Sequence, residues 1–156
     1  MSAKPIQELR THNPSFNPAF KRLNLAWIEQ YFRVEKKDLE QVNNPEECLR
    51  GGGEIFFVVV EGEAVGTCAM YKTGPRQFEL AKMAVDPNYR GLGYGDLLME
   101  KAEAWAKEKG ANEILILSNT VLEPAISLYR KHGYTVTHLG PHPDYERCNI
   151  EMRKTL

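Results

Sequence analysis

The chain has 156 residues, 42% of them hydrophobic, and a formal net charge of −1 at pH 7. This length suits one domain with a substantial core, so we expect residues 1–156 to form a single domain. The balanced charge provides no overall basic field, which argues against nucleic acid as a partner. No apolar run is long enough to cross a membrane and no signal-peptide pattern is present, so we expect a soluble, cytoplasmic protein without a membrane partner.

The three cysteines are Cys48, Cys68 and Cys148, an odd number of widely separated residues. This spacing argues against a disulfide framework and against a clustered metal site. We therefore expect reduced thiols and no bound metal.

The N-terminal part of the sequence predicts a strand and then an amphipathic helix. Residues 4–11 are a weak strand candidate that ends at the turn signal Asn13-Pro14. Asn17 is the expected N-cap of the helix, with Pro18 at its first position. Large apolar residues recur at spacings of three and four and predict one packed face: Phe20, Leu23, Trp27, Ile28, Tyr31 and Phe32.

Two shorter helical segments are expected next. One begins near Asp38, and the other begins after Asn44, with Pro45 in its first turn. Three consecutive glycines at 51–53 end this region.

From Glu54 onward the pattern changes from helical to strand-like. A β-branched and aromatic run at 55–60 and a second run at 64–71 flank the turn at 61–62. A third strand is expected at 77–85, after the turn signal Gly74-Pro75. These strands predict an antiparallel meander.

The rest of the sequence alternates between helix and strand. Gly110 is expected to terminate the first helix, and the short apolar strand that follows suits a parallel neighbour reached by a helical crossover. The predicted elements are a helix at 93–109, a strand at 114–117, a helix at 124–133, and strands at 134–139 and 145–152.

A glycine-rich loop joins the third meander strand to the following helix. Gly91, Gly93 and Gly95 leave backbone N–H groups open to an anion at the positive end of the helix, and Arg90 adds a fixed charge. A dinucleotide fingerprint would need a glycine where Asp96 stands, and the Gly-Lys-Ser/Thr of a phosphate-binding P-loop is absent. The loop therefore predicts a pyrophosphate site of another kind.

Two ordered motifs carry a family resemblance. Val85-Asp86-Pro87 followed by Arg90-x-x-Gly93-x-Gly95 closely resembles the coenzyme A motif of the Gcn5-related N-acetyltransferase (GNAT) family. Asn119 followed by Ala125-Ile-Ser-Leu-Tyr129-Arg-Lys-His-Gly-Tyr134 resembles the second motif of that family. The element order resembles the family's over essentially the whole chain.

The resemblance implies an α+β fold of the acyl-CoA N-acyltransferase type. We expect a central, mixed, mainly antiparallel sheet of about seven strands, with helices on both faces. The strands at 79–85 and 114–118 are expected to splay apart and admit the pantetheine arm of acetyl-CoA, whose amides would pair with exposed strand backbone. Asn119 would meet an amide of the cofactor or substrate, or would be only a turn residue. The implied acetyl-CoA contacts are Met83, Ala84, Val85, Arg90, Gly91, Leu92, Gly93, Tyr94, Gly95, Asp96 and Asn119.

The reaction that the resemblance implies needs a base. Only about 0.1% of a lysine-like amine is neutral near pH 7.4, and only the neutral amine attacks a thioester. By its position in the family pattern, Glu79 would take the proton directly or through water. Alternatively, Glu79 is a solvated residue or a partner of Lys82 or Arg76.

Side-chain alternation makes a prediction about this central strand. Unless a bulge intervenes, Lys82 points away from the face that carries the base. The residues expected on the base's face are Glu79, Ala81, Met83 and Val85.

The departing thiolate has a proton affinity near that of a cysteine, so a nearby hydroxyl acid would help. Tyr129 occupies the family's position for this acid. It also belongs to an apolar stripe with Ala125 and Ile126, so helix-to-sheet packing is the alternative.

The acceptor side is the least specified part of the site. By resemblance, the first helical region and the loop between the last two strands frame it, and the mixture of side chains suits a small amine or amino-acid-like acceptor better than a long basic peptide. For Trp27 and Tyr31, core packing is the alternative. The residues offered there are Trp27, Tyr31, Glu35, His142, Tyr145 and Arg147.

Taken together, the sequence predicts an N-acetyltransferase that transfers acetyl from acetyl-CoA to a primary amine of a small molecule or peptide. Transfer would occur by direct attack in a ternary complex, with a homodimer as a possible assembly. A catalytically inactive acetyl-CoA-binding regulatory domain is the alternative. The presence of both Glu79 and Tyr129 favours the enzyme.

Overall fold

The computed structural model describes residues 7–156, which form one seven-stranded sheet with helices on both faces. The strands are β1 (Gln7–Thr11), β2 (Glu54–Val60), β3 (Glu63–Gly74), β4 (Gln77–Val85), β5 (Glu113–Ser118), β6 (Thr135–Leu139) and β7 (Ile150–Thr155). The helices are α1 (Asn17–Tyr31), α2 (Lys36–Asn43), α3 (Pro45–Arg50), α4 (Tyr94–Glu108) and α5 (Glu123–Lys131). The first predicted strand is described from Gln7, since residues 4–6 lie outside the described part.

The strand order is β1-β2-β3-β4-β5-β7-β6. β4 and β5 are parallel, because α4 crosses over between them, and the other neighbours are antiparallel. The mixed, mainly antiparallel sheet predicted from the sequence is confirmed.

Alternating side chains of β2 divide the core into two layers. Phe56 packs with Leu98 and Met99 of α4 on one face, and Phe57 packs with Phe20 of α1 on the other. All five side chains are fully buried. Burial of a side chain of this size contributes about 1.5–3 kcal/mol, so both helical layers are held firmly to the sheet.

The predicted N-cap of α1 is wrong, whereas the predicted N-cap of α3 is confirmed. α1 begins at Asn17 itself, because a 3-10 turn over Pro14–Phe16 leads directly into it, and Asn13 caps that turn by accepting from the Ser15 N–H. The Asn17 side chain donates instead to Glu46. Asn44 does occupy the N-cap of α3, but its amide donates back to the Glu40 carbonyl.

The last strand begins later than predicted. Residues 145–149 form a loop, and β7 begins at Ile150, opposite Ser118 of β5. The burial of Tyr145 and Cys148 gives the loop the apolar pattern of a strand, but the ladder with β5 sets the actual start.

A β-bulge in β4 overturns the predicted side-chain alternation. Pairing with β3 shifts between Thr67 and Ala69, and Lys82 adopts the left-handed region at φ 55°. Lys82 therefore points to the α2 side, where Glu79 also lies, opposite Tyr71. Met83 and Val85 pack on the opposite, α4 side. The extra residue inverts the alternation from that point on.

None of the helices within residues 7–156 is long and apolar enough to span a bilayer.

Candidate active site

The site is a cleft between β4 and β5. The two strands pair only from Gln77↔Glu113 to Glu79↔Leu115, although β4 continues to Val85 and β5 to Ser118. Beyond Glu79 the strands splay apart, as predicted, and neither edge is paired to the other. A cavity of about 520 Å³ lies in the opening.

Almost all of the predicted site residues line this one cleft. Leu92 does not line it and is 59% exposed, and Glu35 and His142 also lie outside the lining. The predicted residues that line the cleft are Trp27, Tyr31, Glu79, Met83, Ala84, Val85, Arg90, Gly91, Gly93, Tyr94, Gly95, Asp96, Asn119, Tyr129, Tyr145 and Arg147.

The glycine loop leads into α4, and two of its glycines adopt the left-handed region of backbone conformation. Gly91 and Gly93 have φ of 76° and 81°, and a Cβ at either position would meet nothing within 4 Å. Glycine is therefore needed there for conformation, and the space beside it is open. Gly95 differs, because its Cβ would lie 3.1 Å from the Leu128 side chain of α5. Gly93 is the N-cap and has no side chain that could accept a hydrogen bond. The first N–H groups of α4 are therefore available as donors to an anion.

Asp96, in the first turn of α4, is bound to α5. Its carboxylate lies 2.8 Å from Lys131 Nζ and 2.8 Å from His132 Nε2. Hydrogen bonds from Lys131 and then His132 hold the pKa of Asp96 below its usual value. The carboxylate is therefore ionised, and its charge is compensated beside the loop.

Glu79 is half-buried on the wall of the cleft. Burial raises the pKa of its carboxyl group, and the electrostatic influence of Lys37, Lys82 and His142 partly opposes this rise. A carboxylate with a raised pKa holds a proton more strongly than a solvated one, as a general base must.

Tyr129 lies both in the core and in the wall of the cleft. Its ring packs in the core beside Tyr134, with centroids 6.4 Å apart, and its side chain also lines the cleft. Burial raises the pKa of Tyr129 to about 12, so the phenol stays protonated at neutral pH.

The Asn119 side chain is already engaged within the protein. Its Nδ2 donates to the Arg147 carbonyl at 2.6 Å, and its Oδ1 accepts from the Val121 N–H at 2.9 Å. These are the bonds of a turn residue that also fixes the loop between β6 and β7.

The side of the cleft predicted to hold the acceptor is built on a buried ion cluster that sequence reasoning missed. Asp38 is completely buried, lies 3.2 Å from Lys82 Nζ, and accepts from both terminal nitrogens of Arg147. Glu35 lies 3.4 Å from the same guanidinium. Burial alone would raise the pKa of Asp38, but the bonds from Arg147 and the Glu35 N–H, with the charge of Lys82, hold it below its usual value.

The cluster leaves no clear local signal in the sequence. Glu35 and Asp38 form a capping box at the start of α2, but they do not match the Ser/Thr-x-x-Glu/Gln pattern by which such a box is recognised. The pairing with Lys82 depends on the bulge.

Aromatic rings pack around the cluster. The Arg147 guanidinium carbon lies 5.7 Å from the Trp27 ring centroid and 5.0 Å from that of Tyr145. The Tyr145 hydroxyl donates to Gln41 of α2 at 3.4 Å. These contacts hold the loop between β6 and β7 against α1 and α2. Of the six residues predicted for the acceptor side, four line the cleft: Trp27, Tyr31, Tyr145 and Arg147.

Within residues 7–156, no group of three or more His, Cys, Asp and Glu side chains is arranged to hold a metal ion.

Comparisons with known proteins agree with this geometry. The family model described as "Acetyltransferase (GNAT) family" matches residues 20–134. An uncharacterised N-acetyltransferase of Chlorobaculum tepidum is 39% identical over 65 residues, which is 42% of each chain. The chain spans about half the length of the curated relatives that it matches.

Solved structures share the fold across nearly the whole chain. A GNAT-family acetyltransferase from Staphylococcus aureus superposes with a TM-score of 0.88 at 21% identity, covering 97% of this chain and 99% of that one. A Salmonella typhimurium protein solved with acetyl-CoA superposes with a TM-score of 0.78 at 16% identity, covering 97% and 94%. These likenesses show the fold, and the family match covers well over half of the sequence. The chain therefore belongs to the acetyltransferase (GNAT) family.

Proposed function

We propose that this protein is an N-acetyltransferase that transfers acetyl from acetyl-CoA to a primary amine of a small molecule or peptide, by direct attack in a ternary complex. The single observation that carries the proposal is the splay of β4 from β5. It opens one cleft that has Glu79 and Tyr129 in its walls and the glycine loop in its lining.

The cleft has the features that acetyl-CoA requires. The β4 edge beyond Glu79 does not pair with β5, so its peptide groups can pair with the amides of a pantetheine arm. Gly91 and Gly93 leave open space at the start of α4, and Arg90 lines the same end. We assign the diphosphate to this loop and the pantetheine to the backbone of Met83, Ala84 and Val85. Acetyl-CoA supplies the activated acetyl thioester.

We assign proton removal to Glu79. The acceptor binds as an ammonium ion, which an ionised carboxylate attracts, and it must lose a proton before its nitrogen attacks the thioester carbon. The raised pKa of Glu79 supports this role, because a stronger base takes the proton more readily.

We assign proton donation to Tyr129. When the amide bond forms and the carbon–sulfur bond breaks, the sulfur leaves with the bonding electrons and needs a proton. Tyr129 keeps its proton at neutral pH, since its pKa is about 12, and it lines the cleft. The products are the acetylated amine and the free thiol of coenzyme A.

The test is thiol release from acetyl-CoA with a panel of primary amines, after subtraction of hydrolysis without amine. We expect thiol release that depends on both the amine and the protein, with the acetylated amine formed in equal amount. Tight acetyl-CoA binding without transfer to any amine would favour the regulatory domain instead. A cytoplasmic location and a homodimer stay predictions.

A further inference from the structure

The two cations on the acceptor side of the cleft are both neutralised. Among the described residues that line the cleft, the cations are Lys82, Arg90 and Arg147, and Arg90 belongs to the glycine loop. Lys82 and Arg147 share the buried carboxylate of Asp38, and Arg147 also meets Glu35. Two positive charges thus face two negative charges, and the cluster has no net charge.

Glu79 is the carboxylate that remains on this side. Lys37 and His142 influence it electrostatically, but neither lines the cleft. The Lys37 ammonium lies over the Tyr145 ring, 4.3 Å from its centroid. An acceptor ammonium would therefore be attracted to Glu79, whereas an acceptor carboxylate would meet a like charge and no uncompensated cation in the described lining. A charge desolvated without a partner is costly.

The remaining wall is aromatic. Trp27 and Phe32 pack edge to face at 6.4 Å, and Tyr31 lies 6.5 Å from Phe32. All three rings line the cavity, and Tyr31 is 46% exposed although it is a large ring on a packed helix. Such a surface favours contact with an apolar or aromatic group.

From these observations we infer that the acceptor is a primary monoamine whose body is uncharged and apolar, a ring above all. A carboxylate or a second ammonium on the acceptor has no partner in the described lining. The amine faces Glu79, and the body lies against Trp27, Tyr31 and Phe32. This inference rests on the proposed function and specifies its substrate class.

Matched acceptors test the charge rule, which states that a charge on the body of the acceptor lowers turnover. L-phenylalanine amide and L-phenylalanine have nearly the same shape and differ in the carboxylate charge, and 2-phenylethylamine lacks the group altogether. We expect kcat/KM, compared per ammonium form of the acceptor, to be at least tenfold higher for the amide and for 2-phenylethylamine than for the acid. Butylamine should likewise exceed 1,4-diaminobutane.

The outcomes separate the two proposals. If L-phenylalanine is turned over as well as or better than L-phenylalanine amide, the inference is overturned and the acetyltransferase proposal stands. Acetylation of other primary amines but of none of these would also overturn the inference alone. A protein that binds acetyl-CoA but acetylates no amine of the wider panel would overturn the proposed function, and the inference with it.

Two variants test the structural basis. Asp38→Asn leaves Lys82 and Arg147 without their shared carboxylate. Turnover of L-phenylalanine relative to its amide should therefore rise about tenfold. An unchanged ratio in the folded variant would contradict the charge rule.

Tyr31→Ala removes an exposed ring, which makes it a variant that folds even if Asp38→Asn does not. It should raise KM for 2-phenylethylamine several-fold with little change in kcat, whereas Leu39→Ala, exposed on α2 outside the cleft lining, should change neither constant. Equal KM values in the Tyr31→Ala and parent proteins would contradict the aromatic contact.

Discussion

The ammonium of Lys82 lies 3.2 Å from the carboxylate of Asp38, and both side chains are almost completely buried although they are 44 positions apart in the chain. The bond joins the bulge of β4 to the first turn of α2. Without the left-handed backbone at Lys82, this side chain would point to the opposite face of the sheet. The ion pair and the bulge therefore support each other, at the point where β4 turns away from β5.

Removal of this ammonium should destabilise the protein. Lys82→Met keeps most of the side-chain length but leaves Asp38 with Arg147 as its remaining cation. Loss of one partner of a buried pair costs about 3–5 kcal/mol, and the retained Arg147 should reduce this to about 2 kcal/mol. Urea unfolding measures the difference. Lys101→Met, on the exposed face of α4, is the control, and an equal free energy of unfolding in both variants would contradict a stabilising pair.

The same cluster predicts how the free energy of unfolding changes at acid pH. The pKa of Asp38 is lower in the folded protein than its ordinary value of 3.8, so its ionisation stabilises the fold above that pH. This contribution is lost as the pH falls below about 4 towards the folded-state pKa. Asp38→Asn should be less stable than the parent at neutral pH, and the gap should narrow in acid. A gap of constant size from pH 7 to pH 3 would show that the charge is irrelevant.

Much of the fold was predictable from local signals. The period of apolar residues located the long helices, and the strand meander followed from β-branched runs and turn residues. The glycine loop could be found because Gly91 and Gly93 need positive φ values that other residues rarely adopt. These features depend on neighbours within a few positions.

The errors arose where distant pairing decides the local structure. The bulge at Lys82 is defined by its register with β3, and the start of β7 by its register with β5. The Asp38 cluster joins α2, β4 and the loop that carries Arg147, so no local pattern contains it. The proposed acceptor side of the cleft is therefore the part that the sequence described least well.

Gly93→Val should block acetyl-CoA binding, because its branched side chain would enter the space that we assign to the diphosphate. The substitution also strains the backbone at φ 81°, at a cost of roughly 1–2 kcal/mol. Gly110→Val is a matched control, since Gly110 has φ 82° and equally open space but lies at the other end of α4. Both variants should lose similar stability, and calorimetric titration should find weaker binding only for Gly93→Val. Equal affinity in the two folded variants would remove the loop from the site.

Tyr129→Phe should slow turnover by about 10²-fold, a usual contribution of a general acid, while the packed ring keeps the thermal stability near that of the parent. Tyr134→Phe is the matched control. Its ring packs beside Tyr129, its hydroxyl is buried beside Glu103, and it does not line the cleft. We expect normal turnover for this control. A Tyr129→Phe enzyme with full activity and a lower melting temperature would identify Tyr129 as a core residue only.

Glu79→Gln tests the proposed base. Glutamine keeps the size of the side chain but cannot take a proton, so turnover near pH 7 should fall by about 10²-fold while acetyl-CoA affinity is retained. Glu63→Gln, at an exposed position at the start of β3, should have no effect.

The pH dependence of activity gives a second test of Glu79. In the parent enzyme, activity should be lost as the pH falls through the raised pKa of Glu79, and Glu79→Gln should not show this loss. At high pH more of the acceptor is already neutral, so the defect should shrink as the pH rises. A structural glutamate would instead give a defect of constant size at every pH, together with lower stability. Full activity of Glu79→Gln at pH 7 would mean that the amine loses its proton to another group or to solvent.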